Sequence, residues 1–407
     1  MKLICTMCKR ANPKSCGNQY CPILSKMSFE HRVKFDPKKD YFGDAPNVFV
    51  GRYGYPSVNV GLLSTEHYEH NDEPLFWSKN EYALDRIVDL RSVLVNSTFK
   101  LNVKNAGNKF LDIGQEVAMA SKPVDIEIGF KKHPTFQLKI DKDLMPQGPR
   151  VELEKARITE NVKVPLQVEK AVSDPDWKAA DAMNSLYEKN IDEHHLTRLL
   201  SIGNLGVKVE RKLVPTRWSI TAVDSNISKR MVEELKDYQE YGFVSHFGGH
   251  YGNYFLILFF PDVWSYELME TYVGNPGLVS SKKTSTTRDY EPYKGRKKYV
   301  EETAGGYYAT RLALVEHLRK KKRQSSCLVL RFITDEYYVP LGVWVVREAV
   351  RKALQSKPIE FASKELMLNY AKQLVRKKFF NYNLDGLLPR SQLLKEMSQQ
   401  SKLVNFL

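Results

Sequence analysis

The stretch NVFVGRYGYPSVNVG, Asn47 to Gly61, sets the character of the amino-terminal half. Val48, Phe49 and Val50 predict a strand, Gly51 to Pro56 a turn, and Ser57 to Val60 the returning strand. The segment is glycine-rich, yet it lacks the Gly-Lys-Ser/Thr ending of a phosphate loop and no helix follows it. One reading is a plain β-hairpin. The other adds a role for Arg52, which sits between Gly51 and Gly54 and would present its guanidinium to a phosphate.

Around this hairpin the patterning is mixed. Glu81 to Leu94 places Leu84, Ile87, Val88, Leu90 and Leu94 at helical spacing, and Gln115 to Met119 predicts a short helix. Val124 to Phe130 (VDIEIGF) alternates as a strand, with Asp125 and Glu127 on its solvated face. Met145 to Pro175 carries four prolines with extended segments between them. Trp177 to Tyr187 and Ile191 to Leu200 predict two helices, the second carrying His194 and His195 as surface histidines.

The middle of the chain holds the residues best suited to chemistry. Arg211 to Asp224 ends in a polar–apolar alternation that reads as a strand, followed by a helix over Ser228 to Tyr241. His246-Phe-Gly-Gly-His250-Tyr-Gly reads as a glycine loop, Tyr254 to Phe260 as a buried strand. Pro261-Asp262 would open a helix containing Trp264, Glu267, Leu268 and Glu270. Asp224, His246, His250, Asp262 and Glu267 would then be candidates to converge on a divalent metal, as in phosphodiester hydrolysis. The competing reading makes Asp262 a helix cap.

Gly274 to Lys298 has the composition of a linker or mobile loop. From Ser281 to Arg323 there are 13 Lys/Arg against 5 Asp/Glu, a net of +8. Lys282, Lys283, Arg288, Arg296, Lys297 and Lys298 would neutralise phosphates. Tyr290, Tyr293, Tyr299, Tyr307 and Tyr308 interleave with them and would stack on bases. Helices over Thr310 to Lys320, Val343 to Leu354 and Ser363 to Phe380 flank a strand, Cys327 to Phe332, that buries Cys327.

Both ends carry motifs. Cys5-x2-Cys8-x7-Cys16-x4-Cys21 supplies four thiolates at the spacing of a tetrahedral knuckle, with Gly17 allowing the tight turn. Zinc is favoured over an iron–sulfur cluster. At the other end Gln400, Leu403 and Phe406 recur every third residue, which stacks them in one row of a 3₁₀ turn. The polar stretch Ser391 to Gln399 reads as a tether for that plug. The terminal pattern resembles the motif with which replication and repair proteins dock onto the sliding clamp PCNA. Leu407 stands where that motif has its second aromatic.

The chain has 407 residues, 42% hydrophobic and 11% aromatic, more than one core usually serves. Its net charge of +14 favours polyanionic partners, nucleic acid before membrane. No apolar run approaches the roughly 20 residues of a spanning helix. Cys5 and Cys8 interrupt the place of a secretory leader. The expectation is a cytoplasmic, nucleoid-associated protein without membrane contact.

Taken together, the knuckle CTMC…C…C, GRYGYPSVNVG, DVWSYELMETY, AGGYYATRLALVEHL and the terminal QSKLVNFL resemble the archaeal Nre (novel repair) family over almost the full length. The resemblance implies a DNA repair factor that binds PCNA through Gln400, Leu403, Phe406 and Leu407. It supplies no catalytic residues.

The expected fold is mixed α/β (α+β), a two-domain body with a zinc knuckle and a flexible tail. Its parts are the knuckle (1–26), a large domain (27–280), a basic domain (281–390) and a tether with the clamp motif (391–407). The expected partners are PCNA, DNA and other repair factors. Two alternatives stand beside this reading: a metal-dependent nuclease or other nucleic-acid-processing enzyme, and an RNA-binding or RNA-modifying zinc protein.

Overall fold

A computed structural model describes residues 38–104, 107–135, 139–141, 144–273, 286–334, 336–337, 339–379 and 382–399. The chain is mixed α/β and divides into two units. One comprises the residues up to Ile227 with Val339–Gly342; the other comprises Ser228–Tyr338 and the chain from Val343 onward. The boundary expected near residue 280 gives way to one near 227, because strands before and after residue 280 share one sheet.

The first unit is a barrel. β1 (Asp40–Val50) and β2 (Ser57–Thr65) form the hairpin the sequence predicted, with Val50 opposite Val60. β2 pairs antiparallel with β3 (Val95–Asn102). β4 (Val124–Phe130) pairs antiparallel with the first half of β1, whose register slips between Asp44 and Asn47. β5 (Lys139–Asp141) and β6 (Leu144–Gln147) make a small hairpin ahead of β7 (Arg150–Ile158). β7 runs parallel to β3 and antiparallel to β4, so the order β1-β2-β3-β7-β4 closes on itself.

Alternation makes the barrel possible. Val48, Val50, Val58, Val60, Leu62, Phe99, Leu101, Ile126 and Ile128 all point inward and are buried. Each such side chain contributes about 1.5–3 kcal/mol when fully withdrawn from water.

Three sets of helices surround this core. α1 (Pro74–Lys79) and α2 (Leu84–Ser92) lie between β2 and β3. α3 (Lys109–Met119) lies between β3 and β4 and packs Leu111, Val117 and Ala118 into the barrel core. Its cap is Asn108, whose side-chain oxygen accepts from the amides of Phe110 and Leu111. α4 (Leu166–Ser173), α5 (Ala179–Glu188) and α6 (Glu193–Ser201) follow the last strand. His195, expected at the surface, is buried on α6. Desolvation there, with Arg198 adding to it, pulls its pKa down to about 3.

α7 (Thr216–Leu235) corrects the expected strand ending at Asp224. Ser219, Val223, Ile227, Met231 and Leu235 are buried at a spacing of four, a helical stripe. Ser219 and Thr221 alternate with Ile220 and Ala222 over a window too short to tell the two periods apart.

The second unit is built on a six-stranded sheet. Before it comes β8 (Gln239–Glu240). β9 (Phe243–His250) and β10 (Asn253–Phe260) form a hairpin through Tyr251 and Gly252, both at positive φ, the backbone that a tight two-residue hairpin turn needs. The glycine loop expected at 246–252 is therefore a strand and a turn. Gly248 is small because a Cβ there would come within 2.9 Å of the Ala353 Cα.

β11 (Ser265–Tyr272) replaces the helix expected after Pro261. β12 (Thr286–Glu291) pairs with it, where part of a linker was expected. α8 (Ala304–Lys321), β13 (Arg323–Gln324), β14 (Ser326–Ile333), α9 (Trp344–Leu354), β15 (Ile359–Phe361) and α10 (Lys364–Lys378) follow. The sheet order is β12-β11-β14-β10-β9-β15, with β14 parallel to β11 and antiparallel to β10. Leu256, Leu258 and Phe260 of β10 and Leu328, Leu330 and Phe332 of β14 meet Met367, Ala371 and Val375 of α10 on one face.

α11 (Gln392–Gln399) corrects the expected tether. Leu384, Leu387, Leu388 and Leu393 join the core on the α10 face of the sheet, so the chain through Gln399 belongs to the body.

Candidate nucleic-acid interface

Two backbone hydrogen bonds close the β1–β2 turn. Gly51 N donates to Asn59 O at 2.8 Å and Ser57 N to Gly54 O at 2.8 Å. Gly54 has φ +84, where a side chain would be strained. With its backbone satisfied internally, the turn leaves its side chains outward. Tyr53 and Tyr55 are 67% and 49% exposed. The Arg52 guanidinium lies 5.1 Å from the Tyr53 ring centroid, and its Nη2 donates to Tyr53 Oη at 3.3 Å.

A residue distant in sequence completes the cluster. Thr216 Oγ1 accepts from Val50 N at 2.9 Å and so pins the start of α7 to the end of β1. Two residues on, Trp218 reaches the turn, its ring 5.3 Å from that of Tyr55. It is 46% exposed. Reading the sequence singled out Arg52 but missed Tyr53, Tyr55 and Trp218. The signal was there: aromatics beside an arginine in a stretch, residues 46–61, that contains no Asp or Glu.

The basic segment of the second unit behaves differently. Arg296 Nη1 donates to Tyr290 O at 2.7 Å, and its Nη2 lies 3.5 Å from Asp289 Oδ1, so it staples its own loop. Arg288 N donates to Glu302 Oε2 at 2.8 Å. Arg311 is buried against Glu291, Nη1 to Oε2 at 2.6 Å. Tyr307 and Tyr308 are core residues, and Tyr290 Oη donates to Glu396 at 2.5 Å. Lys297, Lys298, Tyr293 and Tyr299 are exposed. Lys282 and Lys283 lie outside the described residues.

Burial would raise the pKa of Asp289. Hydrogen bonds from Thr303 N and Oγ1, Glu301 N and Glu302 N outweigh it and hold the carboxyl below its usual range.

The five residues considered for metal chemistry take up other work. Asp224 is buried on α7 in the first unit, while the other four belong to the second. His246 Nδ1 lies 3.1 Å from Ser356 O. His250 ends β9, its ring 3.6 Å from that of Tyr251. Asp262 Oδ1 accepts from Val263 N at 2.8 Å. Glu267 accepts from Ser391 Oγ and from the amides of Gln392 and Leu393, capping α11 from β11. Among the described residues no three His, Cys, Asp or Glu are grouped so as to hold a metal ion. Cys5, Cys8, Cys16 and Cys21, and Gln400, Leu403, Phe406 and Leu407, lie outside the described residues.

Comparison with known proteins places the chain. Residues 15–276 match the family described as Archaeal Nre, N-terminal, and residues 291–406 match Archaeal Nre, C-terminal. The chain belongs to the archaeal Nre family. The DNA repair protein NreB of Archaeoglobus fulgidus is 34% identical over 391 residues, 95% of this chain and 96% of that protein. The DNA repair protein NreA of the same organism is 35% identical over 379 residues, 92% of this chain and 94% of that one. The DNA repair protein NreA of Haloferax volcanii is 36% identical over 343 residues, 81% of each. No solved structure matches this Nre chain. Among its described residues no helix is long and apolar enough to cross a membrane.

Proposed function

We propose that this chain is a DNA repair factor that works at damaged DNA while tethered to the sliding clamp PCNA. The observation that carries the reading is kinship over more than nine-tenths of the chain with proteins named as DNA repair proteins. The net charge of +14 suits a polyanionic partner.

Gln400, Leu403, Phe406 and Leu407 are the clamp contacts in this reading. The terminal motif begins directly after α11, which Glu267 holds to the body. Binding the clamp would convert a weak DNA encounter into an intramolecular one.

Calorimetry against the clamp tests the tether. The full chain is expected to give saturable heat, and a chain ending at Ser398 none. Equal heats from the two would remove it.

Cys5, Cys8, Cys16 and Cys21 are the donor set for one Zn²⁺, whose part would be to hold the amino-terminal segment folded. Elemental analysis should find one zinc per chain. Iron in its place would overturn the assignment.

A further inference from the structure

The order β1-β2-β3-β7-β4 is more specific than barrels in general. β3 and β7 close it in parallel, a helix (α3) sits between β3 and β4, and the long β1 is shared between β4 and β2 across a register slip. That is the plan of the five-stranded oligonucleotide-binding (OB) barrel. Such a barrel uses the outer face of its second and third strands, with the flanking loops, to bind oligonucleotides.

One half of that face is open here. Asn96 and Thr98 on β3, and Gly61 on β2, are buried. Toward the β1–β2 turn the outward positions are Ser57 and Asn59, facing Asn102 and Lys100; Lys100 and Asn102 are exposed.

Three chain segments converge on this end. Val103 N donates to Pro56 O at 2.9 Å, Leu213 N to Val103 O at 3.0 Å, and Val50 N to Thr216 Oγ1 at 2.9 Å. Over 46–61, 95–111 and 211–218 these segments carry seven Lys/Arg (Arg52, Lys100, Lys104, Lys109, Arg211, Lys212, Arg217) and no Asp or Glu. Asp112 and Glu210 border these segments, so an excess of basic side chains, rather than a complete absence of acids, gives a local positive field. Arg211 is engaged with the carbonyls of Gly206, Val172 and Asp174 and adds charge rather than a contact.

Tyr53, Tyr55 and Trp218 stand in that field with 46–67% of their surface in water. Exposed rings beside cations are what an unpaired strand uses, since every base has a face to stack and every linkage a phosphate. A duplex keeps its base faces covered.

We propose that this barrel binds single-stranded DNA across the open half of its β2–β3 face. Tyr53, Tyr55 and Trp218 stack on bases, and Arg52 and Lys100 meet phosphates. The choice of DNA over RNA rests on the repair reading above. The barrel site itself is independent of the clamp tail.

The test is fluorescence anisotropy with the full chain at one fixed salt concentration. The probes are labelled oligo(dT) of about 20 nucleotides, longer than the roughly 4–16 one such barrel covers, oligo(rU) of equal length, and a duplex. Oligo(dT) should bind most tightly. Tyr55→Ala and Trp218→Ala should each weaken it roughly tenfold, Trp218→Phe by less than about threefold, and Lys297→Ala/Lys298→Ala hardly at all. Melting temperature should stay at the wild-type value. Should Trp218→Ala unfold the protein, Tyr53→Ala, which alters the most exposed ring, is read instead.

Clamp heats unchanged in these variants would separate this site from the tail. Wild-type affinity in the ring variants, tighter binding of duplex or oligo(rU), or no oligonucleotide binding by the folded chain would each overturn the proposal.

Discussion

His317 on α8 stacks on Phe259 at 5.8 Å, its ring 5.2 Å from that of His246. Desolvation, then His246 and the lysines at 320 and 321, bring its pKa down to about 4. His246 is shifted the same way by burial. An unfolded chain protonates these rings near pH 6.5, so below that pH it binds more protons than the folded one. Stability should therefore fall as pH drops from about 6.5 toward 4, where the folded ring also takes its proton. Urea midpoints at pH 7 and pH 5 should differ less in His317→Gln than in the wild type. Equal differences would show that His317 titrates normally.

Elements show how far the sequence could be read. The hairpin around Gly51–Pro56 was legible because valines alternate on both sides of a glycine turn, and Tyr254 to Phe260 because a short, aromatic-rich apolar run stopped by Pro261 suits a buried strand. β11 was misread, since Trp264, Leu268 and the adjacent carboxylates fit a helical period as well as an extended one. What decides it is β14, about sixty residues later, pairing along its whole length. α11 was misread for the same reason: polar in isolation, it is held by a carboxylate on another element.

That carboxylate makes a prediction for the element. Glu267 is buried and receives three donors at the start of α11, where negative charge also suits the helix dipole. Glu267→Ala strands those donors and should cost about 2–4 kcal/mol in denaturant unfolding, with Glu267→Gln losing less. Amide exchange over 392–399 should rise most. Unchanged protection there would mean that apolar contacts alone dock the helix.

Across the whole molecule, the candidate sites divide between those proposed from local spacing in the sequence and those that only packing brings together. The four cysteines and the terminal Gln400, Leu403, Phe406 and Leu407 are of the first kind, proposed from spacing that is local and lying outside the described residues. The barrel cluster is not, because Trp218 meets Tyr55 only after the 162 intervening residues have folded. The charge run at 281–323 drew attention as the nucleic-acid surface, yet Arg311, Tyr307 and Tyr308 are buried in the second unit and Arg296 staples its own loop.

Photo-crosslinking therefore weighs the two surfaces most directly. The full chain would be irradiated with a halogenated oligo(dT) analogue and the linked peptides identified by mass spectrometry. Crosslinks at Tyr53, Tyr55 and Trp218 are predicted. Crosslinks confined to residues 288–323, with the barrel peptides unmodified, would contradict the account.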